Sequence, residues 1–463
     1  MSQPRCRVIG FWDLTLYAVA VGFGIRWIAY AAAAGPASLP LWLVGMIGFM
    51  IPLVAATAEL VGRFPGEGGI YDWTRETIGP FAGFITGWLY WTCNLPFFSA
   101  LLYFMLANFA AVMGPAASRA LEDPLIFASV ACGVAIAVGA LHWIGLGAGK
   151  WLTNFGSIAV GLLTVILIAL GLAVALRSGP ATDFVRASYS PPLTADGAAL
   201  WAIMVFAYGG PESLAFLRED VAGGVRQIVR VLILVGLVVF AAYIAGTLAM
   251  LSILKPADAS RLAGLPDAYT IGFAKVGLKW LGPLPPLLLG LSALGGYSAW
   301  FGLAARLPFA IGVDRYFPAA FAKKHPKTGA PTTAILIQVV AVVVLVILGQ
   351  AGASVKAAYD FLTSMSVISY TLPFVFLFLA YLRADGPVAP GIWVAPGGPA
   401  GRKTLAWMGL VITATAIACT LVPSPDATDK LGAVVKLVVA SAVLVGIGAA
   451  IYAAASRRRR VAV

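Results

Sequence analysis

Residues 206–213 read Phe206-Ala207-Tyr208-Gly209-Gly210-Pro211-Glu212-Ser213, and they interrupt an otherwise apolar run long enough to cross a bilayer. Gly lowers helix preference by about 1 kcal/mol and Pro by about 3 kcal/mol. Pro211 also removes a backbone donor and clashes one turn back. A second interruption, Ala20-Val21-Gly22-Phe23-Gly24-Ile25-Arg26-Trp27, falls in the first apolar run. Unwound backbone at membrane depth is stable only where its amides and carbonyls line a cavity or meet a ligand. Taken singly, each interruption also reads as a packing glycine or a proline kink. The two lie five spans apart, at matching positions in two five-span halves. That arrangement points to an inverted-repeat transporter with a site at the membrane midplane.

The whole chain fits a membrane setting. It has 463 residues, 61% hydrophobic and 11% charged, against about 25% charged in a soluble domain. So few charges exclude a water-soluble enzyme, and so much apolar content excludes disorder. The net charge of +12 is spread between apolar runs, where it reports orientation rather than nucleic-acid binding. Cys6, Cys93, Cys132 and Cys419 are far apart and make no metal or disulfide framework.

Twelve spans are expected, near 10–34, 38–60, 81–113, 124–142, 151–176, 196–217, 230–254, 283–311, 331–349, 358–382, 404–422 and 432–455. They divide one membrane domain, 1–463, into a first repeat (10–176), a second repeat (196–382) and two extra helices (404–455). The first span carries Asp13 and Arg26 and lacks the short apolar core of a cleavable signal. With the N-terminus inside, 19 basic and 7 acidic residues fall on the cytoplasmic side and ten basic and nine acidic outside, a net +12 against +1. Both termini are therefore expected in the cytoplasm. The tail Arg457 to Arg460 reads as an orientation anchor.

Charges inside spans usually face a cavity. Arg26 sits midway in span one, where snorkelling is awkward, so it is expected to face the cavity. Glu212 follows the span-six interruption and is expected to serve substrate or proton, or else to cap the second half-helix. Asp13 and Glu59, near span ends, are expected to be solvated or capping, and Arg306 to be structural. His142 and His325 have neither triad nor metal partners in the sequence. Trp88, Tyr90, Tyr208, Tyr297 and Trp300 are candidate pocket walls. Ser292 and Ser298 of span eight are candidate sodium ligands.

Further motifs follow in order: Glu59-Leu60, Arg63-Phe64-Pro65, Glu67-Gly68-Gly69-Ile70-Tyr71-Asp72-Trp73, Gly79-Pro80-Phe81, Gly87-Trp88, Glu219-Asp220, and then Arg306, Asp314, Phe317-Pro318, Phe321, His325-Pro326 and Gly329-Ala330-Pro331. With Gly22-Phe23-Gly24 and Tyr208-Gly209-Gly210-Pro211-Glu212, this series resembles the amino acid–polyamine–organocation permeases over nearly the whole chain. The resemblance implies an all-α polytopic fold of the leucine-transporter type, with five-plus-five inverted repeats and two extra spans. It implies a substrate region at Gly22, Phe23, Gly24, Ile25 and Arg26, and at Tyr208, Gly209, Gly210 and Glu212. The sequence departs from the family in two places. Bulky Phe23 stands between the span-one glycines, where members often carry a small residue. Span five has no deep lysine of the kind some proton-coupled members use; Lys150 lies at its cytoplasmic end instead.

The reading is an inner-membrane secondary transporter for an amino acid or related amine, embedded in lipid, with no cofactor and H+ or Na+ as the coupling ion. Half-helix amides are expected to hold a carboxylate, and carbonyls with Glu212 an ammonium group. No Gly-x-x-x-x-Gly-Lys-Ser/Thr loop marks an ATP-driven pump. Alternatives are a polyamine permease or an amino acid/amine exchanger; Arg26 in the cavity argues against the polyamine. A membrane-embedded enzyme lacks its cluster of His, Asp or Cys, and a channel would not need paired breaks.

Overall fold

The computed structural model describes residues 9–66, 68–191, 194–259, 264–350, 355–386, 388, 391–422 and 430–461. Arg5, Cys6, Arg7 and Glu67 of the sequence reading lie outside them. In chain order the helices are α1 (Phe11–Gly22), α2 (Arg26–Ala33), α3 (Ser38–Gly45), α4 (Ile51–Arg63), α5 (Ile70–Thr77), α6 (Pro80–Thr92), α7 (Asn94–Met113), α8 (Pro115–Ala120), α9 (Pro124–Ile144) and α10 (Leu146–Ser178). There follow α11 (Ala195–Ala207), α12 (Gly224–Ile253), α13 (Gly264–Val276), α14 (Leu284–Ala304), α15 (Arg306–Val313), α16 (Thr332–Gln350), α17 (Val355–Arg383), α18 (Gly398–Thr420) and α19 (Lys430–Val461).

Among the described residues, ten segments are long and apolar enough to span a membrane. They match ten of the twelve expected spans. The other two, 358–382 and 432–455, fall on α17 and α19, where many side chains lie outside the description. Span one is α1 plus α2, span two is α3 plus α4, and span three is α6 plus α7, which meet at Cys93. The chain is a multi-pass membrane protein.

The packing follows the solvent. On α10, Trp151, Phe155, Ile158, Leu162 and Val165 are exposed, at alternating spacings of four and three residues. That spacing is one helical face, and in a bilayer it faces lipid. Asn154, Ser157, Val160, Leu163 and Leu167 on the other face are buried. The polar side chains Asn154 and Ser157 are therefore turned inward, and the outward face is large and apolar, which a soluble helix would not show. Where α10 crosses α14, Gly156 and Gly295 bring the backbones into contact, and a Cβ on either would overlap the other's Cα. Small residues allow such close approach, and α1 of the first span packs against both helices.

Candidate functional site

Span one is broken where the sequence conflicts with helix. α1 ends at Gly22, Phe23 is extended at φ −128° and ψ 115°, and α2 starts at Arg26. The freed groups are satisfied in the protein. The Gly24 amide donates to Tyr243 Oη at 3.2 Å, and that hydroxyl donates to the Ala207 carbonyl of span six at 3.0 Å. One tyrosine of span seven thus ties the two breaks together. Its ring is stacked on Trp42, 4.2 Å away and nearly parallel, which fixes it.

Span six is broken after α11. Gly210 has φ +124°, a conformation that a side chain resists. A Cβ there would overlap the Val21 carbonyl oxygen, so the two breaks touch backbone to backbone. Pro211 starts a 3-10 stretch, Pro211–Leu217, as its missing donor permits, in place of a second α half-helix. Ser213 Oγ donates to the Gly210 carbonyl at 2.6 Å.

Glu212 is 1% exposed. Its Oε1 accepts from Tyr90 Oη at 2.5 Å and from Tyr370 Oη at 2.6 Å, and its Oε2 accepts from the Gly210 amide at 2.9 Å. Three donors on one buried carboxylate offset the cost of taking it out of water.

Between the breaks lies a cavity of about 850 Å³, counting its open mouth. Gly22, Phe23, Gly24, Ile25 and Arg26 line it from span one, Gly209 from span six and Ser292 from span eight. Trp27, Phe97, Phe104, Phe206 and Trp300 make much of the wall apolar. Arg26 is 7% exposed. Its guanidinium lies 4.4 Å from the Trp27 ring centroid and 5.0 Å from that of Phe97.

The sequence-predicted residues separate into two groups. The five of span one line the cavity, as do Gly209, Ser292 and Trp300. Gly210, Glu212 and Tyr208 do not: Gly210 is turned onto span one, Glu212 lies behind Tyr370 and Tyr90, and Tyr208 Oη is engaged with the Trp42 carbonyl at 2.8 Å. Trp88 also lies elsewhere, its Nε1 donating to the Leu444 carbonyl at 2.9 Å. Tyr297 is buried against Phe301 and Phe98. Ser298 Oγ is 3.0 Å from His142 Nε2, and this pair sits in the scaffold. Arg26 and Glu212 therefore do not share one cavity wall.

Tyr370, Cys93, Asn94 and Phe97 line the cavity and were not singled out from the sequence. Asn94 was the most readable of them, because a polar side chain amid an apolar run usually faces the interior. Tyr370 carried no such mark.

At the end that carries the N-terminus, the spans are tied by charge. Asp13 of α1 accepts from Lys150 Nζ at 3.1 Å and Asn154 Nδ2 at 2.8 Å. Arg306 meets Asp220 at 2.7 Å and donates to the Phe216 carbonyl at 2.6 Å. Ile9 pairs with the segment after span six through Asp220 and Ala222. Arg75 and Tyr71 both reach Asp314, joining α5 to the loop after α15. Glu59 differs from expectation: it is 2% exposed rather than solvated. Tyr381 of α17 and the loop after it cover Glu59: Tyr381 Oη and the Ala395 amide each donate at 3.1 Å, while Arg63 pairs with it at 2.7 Å.

The comparisons agree with this geometry. The chain is similar to an uncharacterised transporter of Legionella pneumophila, 25% identical over 90% of both chains. It is also similar to a probable agmatine/putrescine antiporter of Lactococcus lactis, 22% identical over 93% of both. Cationic amino acid transporter 5 of Arabidopsis thaliana is 25% identical over 83% of this chain and 67% of its own length. In structure, the chain resembles the transporter MhsT, solved in complex with L-phenylalanine, with a TM-score of 0.61 and 16% identity over 90% of this chain and 99% of that one. The all-α fold is thus the leucine-transporter type. The amino acid permease family model matches residues 9–451, and the chain belongs to that family.

Proposed function

We propose that this protein is a secondary transporter that carries an amino acid or a related amine by alternating access. The substrate sits in the cavity between the breaks of spans one and six. The observation that carries this reading is the backbone contact between the two breaks, Gly210 on Val21, directly beside a cavity lined by Gly22 to Arg26 and Gly209. Rocking one bundle against the other changes which side the cavity faces while the site itself stays fixed.

Glu212 serves through Tyr370, which lines the cavity and donates to the carboxylate. The coupling ion is H+ or Na+. Glu212 with its tyrosines is the candidate for the first, and Ser292, which lines the cavity, for the second. No resident cofactor is required. The protein resides in the inner (plasma) membrane with both termini in the cytoplasm, as the charge split favours.

Purified protein in liposomes should take up a labelled amino acid saturably and show counterflow when preloaded with the unlabelled compound. Flux without saturation or counterflow would indicate a channel, and chemical conversion of the substrate would indicate an enzyme.

A further inference from the structure

Among the described residues that line the cavity, Arg26 is the one formally charged side chain. Its Nε is buried without a hydrogen-bond acceptor, and among the described residues no carboxylate pairs with it. Glu212, the acid at the other break, already accepts from Tyr90, Tyr370 and the Gly210 amide. A buried cation without a counter-ion is costly, and supplying the counter-ion is favourable. The two aromatic faces of Trp27 and Phe97 hold the guanidinium by cation–π contact without using its N–H donors. Arg26 is also the first residue of α2, an eight-residue helix whose positive end adds to the same field. The Gly24 amide, beside it at the break, is already committed to Tyr243.

We infer that Arg26 is the residue that reads the substrate's carboxylate, so that the cavity accepts amino acids and rejects the amines formed by removing that carboxylate. The inference rests on the transport reading and sharpens it by naming the substrate class. The guanidinium fork matches a carboxylate in two parallel bonds. A polyamine or decarboxylated amine brings only positive charge. It would meet Arg26 with no acid among the described lining residues to compensate. The apolar wall of Phe97, Phe104, Phe206 and Trp300 suits an uncharged, bulky side chain on the same substrate.

The test compares acid and amine of the same side chain. Purified wild-type protein is titrated with L-phenylalanine and phenethylamine, L-leucine and 3-methylbutylamine, and L-arginine and agmatine, following thermal unfolding and heats of binding. At least one acid should bind, with its amine at least tenfold weaker. Arg26→Gln should lose tenfold or more for that acid and erase the acid–amine difference, while Arg26→Lys keeps part of it. The wild-type comparison stands by itself where Arg26→Gln fails to fold. Amines that bind wild type as tightly as their acids, or an Arg26→Gln variant that keeps its acid affinity, overturn the assignment and leave the cavity as a seat for amines. Absence of binding by both series overturns this inference and the substrate reading together.

Discussion

Tyr370 separates the cavity from Glu212: its ring faces Gly209 on the cavity wall, and its hydroxyl donates to Glu212 Oε1 at 2.6 Å. A substrate that presses on this ring also moves the donor of a buried carboxylate. Tyr90 donates to the same oxygen from the other side, so the carboxylate has a second support that does not line the cavity. The geometry supplies a route from substrate to acid without direct contact.

This pairing gives unequal expectations for two matched variants. Tyr370→Phe and Tyr90→Phe each remove a hydrogen bond to a buried carboxylate and should each cost about 1.5–3 kcal/mol of stability. Because both bonds end on one oxygen, the double variant should depart from additivity. Only Tyr370→Phe should also change the apparent KM for uptake. Chemical unfolding and initial uptake rates test this. Equal effects of both variants on KM would remove Tyr370 from the role of go-between.

The two glycines of span six should also part company. Gly210→Ala forces a side chain to φ +124° and into the Val21 carbonyl. Backbone strain alone is worth about 1–3 kcal/mol, so both thermal stability and transport should fall. Gly209→Ala meets the Tyr370 ring, a side chain rather than backbone, which must shift and strain its bond to Glu212. That variant should fold and bind substrate more weakly. A Gly210→Ala protein with wild-type stability and uptake would mean that the breaks need not touch.

The ties at the N-terminal end predict a shift in the access equilibrium. Arg306→Ala removes the pair with Asp220 and the bond to the Phe216 carbonyl. On the proposed orientation, which puts this end in the cytoplasm, the cavity should then spend more time open to that side. With Cys6, Cys132 and Cys419 changed to Ser, the cavity-lining Cys93 should react several-fold faster with a small thiol reagent added to inside-out vesicles. An unchanged rate would show that these charges do not hold the cavity shut.

Orientation has its own check. Cysteine tags placed after Val463 and in the 312–330 loop should be labelled only from the cytoplasmic face. Labelling of either from outside sealed cells would contradict the charge-based map.

Much of the site was legible because local preference and environment conflict there. Gly22 to Arg26 and Gly209 to Glu212 put helix breakers and charges into apolar runs, and both places are broken in the structure. The facing of ordinary span residues was not legible. In a helix that is apolar all round, the hydrophobic period that would orient it is faint. The sequence reading thus singled out Trp88 and Tyr297, which pack elsewhere, while Tyr370 and Phe97 gave no sign of lining the cavity. Tyr243 looked like one more aromatic residue in span seven, yet it bridges Gly24 and Ala207. Glu59 misled for a different reason: its cover comes from Tyr381 and Ala395, more than 300 positions later in the chain. Such long-range closure leaves no local mark.

If substrate binds in the cavity between the broken spans, as proposed, Cys93 on the cavity wall reports its arrival. In the variant that keeps Cys93 alone among the cysteines, its thiol, 2% exposed, should be modified by methyl methanethiosulfonate slowly but measurably, as the cavity opens. A saturating concentration of an amino acid that the protein takes up should slow that rate at least tenfold. In a companion variant that keeps Cys132 alone, the rate should stay unchanged. Modification of Cys93 at the same rate with and without the transported amino acid would contradict this placement of the substrate.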